Sequence, residues 1–314
     1  MRSRARERRD GFLLLDKPAG WTSHRALREV MRRLNAAKAG HTGSLDPLAT
    51  GLLPLCFGAA TRFSQFLLDA DKTYEATVRL GVETDTYDSE GRITAQFRER
   101  PTREAVENAL AQFRGVTMQV PPMYSAIKQG GQPLYRRARL GEDVAREPRQ
   151  VIIYRLELTD FSDEQLGLSV TCSKGTYIRS LAFDLGRLLG CGAHIAALRR
   201  LAVGGFTLDD AVSLQEIDQA VLAGGPEHLL LPPDRLLAHL PAVRLKAVDA
   251  YRICLGQTVS LGDEAMVEAG WVRLYERPDR FLGVGWFEPG GQVRPRRILE
   301  TAHGEPVEPG PQHG

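Results

Sequence analysis

Gly40-His41-Thr42-Gly43-Ser44-Leu45-Asp46-Pro47-Leu48-Ala49-Thr50-Gly51 is the stretch on which the reading of this chain turns. Gly40, Gly43, Pro47 and Gly51 interrupt the periodicity on both sides, so residues 38–51 form a structured loop. Glycines allow positive φ and a close approach of backbone to a ligand. Pro47 pushes Asp46 towards extended backbone angles and so fixes where its carboxylate points. A single carboxylate on a rigid loop suits covalent catalysis at a carbon centre. An Asp-Pro turn accounts for the same letters, because loop aspartates mostly cap or turn.

Before this loop, GFLLLD (11–16) reads as a short buried strand. Thr22 or Ser23 can cap a helix with Leu27, Val30, Met31 and Leu34 on one face. After it, Tyr74, Ala76, Val78 and Leu80 alternate as a half-buried strand should. Val106, Leu110 and Phe113 mark a helix, and two strands follow near 151–161 and 166–172. Thr176 opens a helix whose Ile178, Leu181, Leu185 and Leu188 share a face, and Ser213 with Glu216 forms a capping box. Past about residue 240 the helical periodicity fades. GQTVSL, GWVRLYE, FLGVGWFE and QVRPRRIL read as strands of a small barrel or sandwich. The whole is α+β followed by a small all-β unit. Residues 1–10 are expected to be a flexible basic tail, and the Pro/Gly-rich 301–314 to be disordered.

Composition bounds the partner. The chain has 314 residues, 43% hydrophobic and 25% charged, ordinary for a globular protein with one large and one small domain. No apolar run approaches the roughly 20 residues of a membrane helix. Cys56, Cys172, Cys191 and Cys254 are scattered singly, which argues against a disulfide framework and a zinc site. The net charge of +2 hides an asymmetry: residues 1–40 carry eleven Lys/Arg against four Asp/Glu, whereas 205–240 carry six acids and one Arg. Basic excess also marks 128–155 and 172–200, as an anionic partner gripped by particular faces requires. A cytoplasmic protein is expected.

GHTGSLDPLATGLLP resembles the catalytic motif of the bacterial TruB family of pseudouridine synthases. Four further blocks agree in order and spacing: LLLDKPAGWTS, DKTYEATVRLGVETDTYDSEG, PPMYSAIKQGGQPLYRRARLG and CSKGTYIRSLAFDLGRLLGCGAHIAALRRL. The resemblance spans about residues 11–300. It implies the pseudouridine synthase fold, a mixed and largely antiparallel central sheet with flanking helices. A mobile thumb insertion falls at about 122–150 of a catalytic domain over 11–240. A PUA-like RNA-binding barrel occupies 243–300. Phe183 stands where relatives often carry a polar residue, a departure expected to affect packing only.

The resemblance also distributes roles. Asp46 matches the nucleophile, Tyr74 the tyrosine placed against the target base for proton transfer, and Arg179 the arginine paired with the catalytic carboxylate. Such an arginine should hold Asp46 ionised, since a close opposite charge lowers a carboxylate pKa. Tyr177 and Leu198 match residues lining the uracil pocket, and His41 a histidine that contacts the RNA loop when the base is extruded. Read without the resemblance, Tyr74 is a core aromatic, Arg179 a phosphate contact or surface arginine, and His41 a turn residue or a general base. The implied reaction is isomerisation of uridine at position 55, in the T loop of tRNA, with the base flipped out of its stack. It needs no cofactor and no metal. The implied partner is the T-arm stem-loop, with no membrane and no obligatory protein partner. Lys128, Arg136, Arg137 and Arg139, interleaved with Tyr124 and Tyr135, suit a folded RNA loop. The rivals are a non-catalytic RNA-binding or chaperone protein, a hydrolase using the same Asp, and the relatives that work inside guide-RNA particles.

Overall fold

The strand Gly11–Lys17 is apolar on both faces because both faces are covered. It pairs antiparallel with Thr50–Phe57, from Gly11 opposite Phe57 to Lys17 opposite Gly51. Leu13 and Leu15 enter one hydrophobic core with Leu53, Leu55 and Phe57, while Phe12 and Leu14 enter a second with Leu52 and Cys56. A strand between two cores has no polar face to show, which is why the run does not alternate.

These two strands begin a nine-stranded sheet in a computed structural model that describes residues 5–142, 144–261, 268–276 and 280–299. The sheet continues through Ala193–Val203, Lys72–Leu80, Gln165–Cys172, Arg149–Phe161 and Gly115–Gln119. Ala39–His41 adds to Thr50–Phe57, and Phe206–Thr207 to Ala193–Val203. Every pairing is antiparallel except that of Ala193–Val203 with Thr50–Phe57. The helices Ser23–Arg33, Arg103–Ala111 and Ile178–Leu188 bury Leu27 and Val30, Val106 and Leu110, and Leu181 and Leu185 in the first core. The segment expected as the thumb leaves this frame where Gln119 pairs with Arg149, and holds a hairpin of Lys128–Gln129 with Gln132–Pro133 and the short helix Leu134–Arg139.

From Ala242 a second sheet forms, ordered Ala242–Leu245, Gly270–Glu276, Arg280–Glu288, Gln292–Ile298, Val259–Ser260. It curls as a half-barrel around Val272, Leu274, Leu282 and Val293. Its other side joins the second core of the main body: Phe281 lies 5.7 Å from Phe63, and Trp271 packs edge-on at 5.3 Å against Phe66. The Tyr275 hydroxyl donates to Asp234 at 2.8 Å.

Some local expectations change. Helical structure does not fade after 240, since Ala247–Cys254 is helical and buries Ala250 and Ile253 in the half-barrel. The basic N-terminus is not loose over residues 5–10. Glu7 bridges to Ala36, Arg9 donates to the Leu34 carbonyl at 2.6 Å and pairs with Glu7 and Glu227, and Asp10 accepts from Ala59 N–H at 2.6 Å. Arg9 finds partners in other elements, while Arg6 and Arg8 remain exposed. The tail at 301–314 and residues 1–4 lie outside the described residues. Cys56, Cys172 and Cys191 are buried singly as thiols. Among the described residues no helix is long and apolar enough to cross a membrane, and no His, Cys, Asp or Glu group could hold a metal ion.

Candidate active site

Thr22 caps the first helix by accepting from Arg25 N–H at 3.1 Å, which leaves Ser23 free for another task. Buried at the start of the helix, Ser23 accepts from Leu45 N–H at 2.7 Å and donates to the Leu45 carbonyl at 3.0 Å. One hydroxyl thus clamps the residue before Asp46, with two bonds of about 1 kcal/mol net each. On the far side, the Pro47 carbonyl accepts from Gly20 N–H at 2.8 Å, and Ala49 N–H closes a turn on the Asp46 carbonyl at 3.1 Å. Lys17, fully buried at the end of the first strand, donates to the carbonyls of Pro18 and Trp21 at 2.9 and 2.6 Å and reaches Pro47 O at 3.4 Å. Burial pulls its pKa down to about 8, against the attraction of Asp46. The loop's glycines serve unequal ends. Gly51 has φ +98, and a Cβ there would meet the Arg200 carbonyl at 2.3 Å, so the strand can leave the loop only with glycine. Gly40 has neither constraint.

Asp46 therefore stands at the floor of a cleft of about 850 Å³ that also takes in His41, Tyr74, Tyr177, Arg179 and Leu198. The structure brings all six candidates together. The sheet register explains two of them: Arg200 pairs with Tyr74 and Leu198 with Ala76, so Tyr74, Leu198 and Arg200 share one face. Tyr177 caps the helix Ile178–Leu188, which begins one residue later than expected from Thr176 and puts Arg179 in its first turn. The Tyr177 backbone is held by Gln119, whose amide accepts from its N–H at 2.8 Å and donates to its carbonyl at 3.0 Å.

Arg179 is 3% exposed and divides its charge. Its Nη2 donates to Asp46 Oδ1 at 3.1 Å and to the Tyr124 carbonyl at 2.8 Å. Its Nη1 donates to the Thr86 carbonyl at 2.8 Å and lies 3.5 Å from Asp88 Oδ2. Its Nε is 2.9 Å from Asp46 Oδ2, but the angle is too poor for a hydrogen bond, so the pair is not a symmetrical fork. Arg179 pulls the Asp46 pKa down, as expected, but does not set its net direction. Dehydration at the cleft floor raises the carboxyl above its ordinary value, Asp88 adds to the rise, and Arg179 only partly offsets it.

Dehydration likewise raises the Tyr74 phenol, opposed by the Arg200 guanidinium within hydrogen-bonding range of its hydroxyl. Arg200 is 1% exposed and is anchored by donating to Leu52 O at 2.7 Å and Gly43 O at 2.9 Å. His41 is driven below its ordinary pKa by burial, with His24 and Arg200 adding to the effect, and stands as a neutral imidazole at pH 7. Burial raises the Tyr177 phenol. The thumb closes one side of the cleft with Tyr124, Ser125, Tyr135 and Arg139.

Sequence reasoning missed Lys17, Ser23, Thr86, Asp88, Gln119 and Arg200. Only Arg200 carried a usable signal: its alternation with Leu198 along one strand puts it on the pocket face.

Residues 31–178 match the TruB family pseudouridylate synthase N-terminal domain, residues 179–238 the tRNA pseudouridylate synthase B C-terminal domain, and residues 241–299 the pseudouridine synthase II TruB C-terminal domain. The chain is 50% identical over 301 residues to tRNA pseudouridine synthase B of Pseudomonas aeruginosa (strain UCBPP-PA14), covering 95% of this chain and 98% of that protein. It is 52% identical over 296 residues to tRNA pseudouridine synthase B of Azoarcus sp. (strain BH72), covering 94% and 97%. Among solved structures, a chain of a Cbf5-Nop10-Gar1 complex superposes with a TM-score of 0.73 at 25% identity, covering 93% of this chain and 86% of that one. A chain of an H/ACA RNP bound to a substrate RNA containing 2'-deoxyuridine gives 0.72 at 24%, covering 92% and 85%, a likeness of fold. With half its residues shared along almost its whole length, the chain belongs to the TruB family of pseudouridine synthases.

Proposed function

We propose that this enzyme isomerises uridine to pseudouridine at position 55, in the T loop of tRNA, with Asp46 as nucleophile. The observation that carries the reading is the Asp46 carboxylate on a braced loop, touched by Arg179, in one cleft with Tyr74. The reaction breaks the bond from N1 of the base to C1′ of ribose and forms one from C5 to C1′. C5 loses a proton and N1 gains one. No electrons enter or leave and no water is consumed, so a nucleophile, a proton carrier and a pocket suffice without cofactor or metal. Asp46 supplies the first. Tyr74 supplies the second, with Arg200 favouring its ionised form against the dehydration that opposes it.

A T-loop uridine must leave its stack to reach the cleft floor. Tyr74, Tyr177 and Leu198 offer the flipped base aromatic and apolar walls, and neutral His41 contacts the RNA that remains outside. Lys128, Arg136 and Arg139 on the thumb are exposed and free to reach phosphates. In this reading residues 11–240 are the catalytic domain, about 122–150 its thumb, and 243–300 a PUA-like unit that adds grip on the T arm. The chain works without a protein partner.

Incubating the chain alone with unmodified tRNA transcript and mapping pseudouridine along it tests the proposal. One pseudouridine at position 55 is expected. A folded chain that binds the transcript but leaves every uridine unchanged would favour the RNA-binding rival.

A further inference from the structure

The helix Ile178–Leu188 offers one stripe, Arg179, Phe183 and Arg187, to the segment of residues 83–88. Each member of the stripe meets a partner there. Arg179 meets the Thr86 carbonyl and Asp88, Phe183 meets Tyr87, and Arg187 meets Glu83 at 3.3 Å. The central contact is the closest ring pair among the described residues: centroids 3.9 Å apart and planes 17° from parallel. The Arg187 guanidinium lies 4.6 Å over the same Phe183 ring.

Tyr87 also has φ 63. Only Asn35 shares a positive φ among the described non-glycine residues, and asparagine tolerates that region whereas a tyrosine there is strained. Such strain persists where the surroundings over-determine it. Here the Tyr87 carbonyl accepts from Ile195 N–H at 3.0 Å while the side chain is held in the stack. The flanking groups both serve Arg179. Thr86 gives its carbonyl, and Asp88 sets one carboxylate oxygen toward Nη1 while the other accepts from Thr86 Oγ1 at 2.6 Å and Glu90 N–H at 3.0 Å. If Tyr87 relaxed to negative φ, the peptide planes on either side would turn, and the Thr86 carbonyl would turn away from Arg179.

We infer that the Tyr87–Phe183 stack is a positioning device for the reaction. It locks the strained backbone at Tyr87 so that Thr86 and Asp88 keep Arg179 aimed at Asp46. Tyr87 and Phe183 are positioning residues that act through Arg179, and the inference rests on reading Asp46 as the nucleophile.

Five variants test it with tRNA transcript under saturating and limiting conditions: Phe183→Ser and Tyr87→Ala are the ring deletions, Phe183→Tyr and Tyr87→Phe keep a ring, and Tyr87→Asn removes the ring but suits the backbone. Asparagine accepts the left-handed backbone without a lock, so Tyr87→Asn should stay near wild type although its ring is gone, which ties the loss in Tyr87→Ala to the backbone. Both ring deletions should lower kcat by about tenfold or more, as small misplacements of reacting groups do. KM should stay within about twofold, because ground-state grip is untouched. Both ring-keeping variants should stay near wild type, and the double deletion should be no worse than either single. A second readout does not depend on turnover: the Arg179 Nε–H resonance should be sharp in wild type and broadened in both ring deletions. It would still report if wild type made no pseudouridine, which separates failure of this inference from failure of the functional reading. Tyr87→Ala with unchanged kcat and a sharp Arg179 resonance would overturn the inference, as would Phe183→Tyr falling as far as Phe183→Ser. If Phe183→Ser does not fold, Tyr87→Ala, read against Tyr87→Asn, decides.

Discussion

The Asp46 loop and the thumb wall the same cleft and are held in opposite ways. The loop is tied to the body by Ser23, Gly20, Lys17 and Arg200, all reaching its backbone from outside. The thumb's bonds are mostly its own: Leu134 N–H to Ile127 O at 2.8 Å, Tyr135 N–H to Ser125 O at 3.0 Å, Arg137 to Glu142 at 2.6 Å. Among the described residues its anchors to the body gather near its root, where Ser180 donates to the Val120 carbonyl and Arg179 to the Tyr124 carbonyl. Under the proposed function, bond-making at a carbon centre tolerates little misplacement, so the side carrying Asp46 is the heavily braced one. Under the same proposal the thumb grips phosphates, which requires only charge nearby, so it needs no such bracing. Arg179 touches both, holding Asp46 with one set of nitrogens and the thumb root with another.

If the contrast is right, variants in the loop should change rate and variants in the thumb should change affinity. Asp46→Asn keeps shape and hydrogen bonding while removing the nucleophile, and should cost about ten-thousandfold or more in kcat with tRNA binding retained. Single-turnover conversion by an Asn variant free of deamidation would remove Asp46 from the chemistry. Tyr74→Phe deletes only the hydroxyl, so the ring still stacks, and turnover should fall by about a hundredfold or more. Activity within a few-fold of wild type would leave Tyr74 with packing alone.

The thumb should answer differently. Replacing exposed Arg136 and Arg139 together by Ala should raise KM by about tenfold and leave kcat in place, since the binding lost is common to ground and transition states. The salt dependence of binding should also flatten, by about 0.7 in log–log slope for each phosphate contact removed. A drop in kcat at unchanged KM would show that the thumb shapes the chemistry and would break the contrast.

The smallest effect is a displacement along the pH axis. Under the proposed function Asp46 attacks as the carboxylate, and dehydration holds its carboxyl above the ordinary 3.8. As pH falls through that raised value the carboxylate is protonated and kcat falls, so the acid limb should have its midpoint above 3.8. Changing Asp88 to Asn removes the neighbouring negative charge and should move the limb to lower pH. A limb that starts only below 3.8 would mean that Arg179 outweighs burial after all.

Much of the fold was legible without coordinates. The period-2 run Tyr74-Ala76-Val78-Leu80, the capping box at Ser213 and Glu216, and the apolar GFLLLD strand are local patterns and fold as read. The six candidate residues were legible by resemblance, and they converge. The braces were not. Ser23 looks like an alternative cap, Lys17 like the polar end of a strand, and Gln119 like any edge-strand amide. Each acts on a carbonyl or N–H that only the folded chain brings near. The N-terminus misled for the same reason: Arg9 reads as part of a solvated tail until the ends of other elements supply Leu34 O and Glu227.

By itself, then, the sequence determined which faces are buried, where helices and strands fall, and that the chain belongs with enzymes sharing its Asp46 motif. Hydrophobic period and capping chemistry act between neighbours, and neighbours are visible in a string of letters. Only the tertiary structure decided how one arginine divides its charge among Asp46, Asp88, Thr86 and Tyr124, and that dehydration outweighs it at the carboxylate. Asp46 and Arg179 stand 133 residues apart. The balance of burial against charge between such groups depends on distances and solvent exclusion, which exist only once the chain has folded.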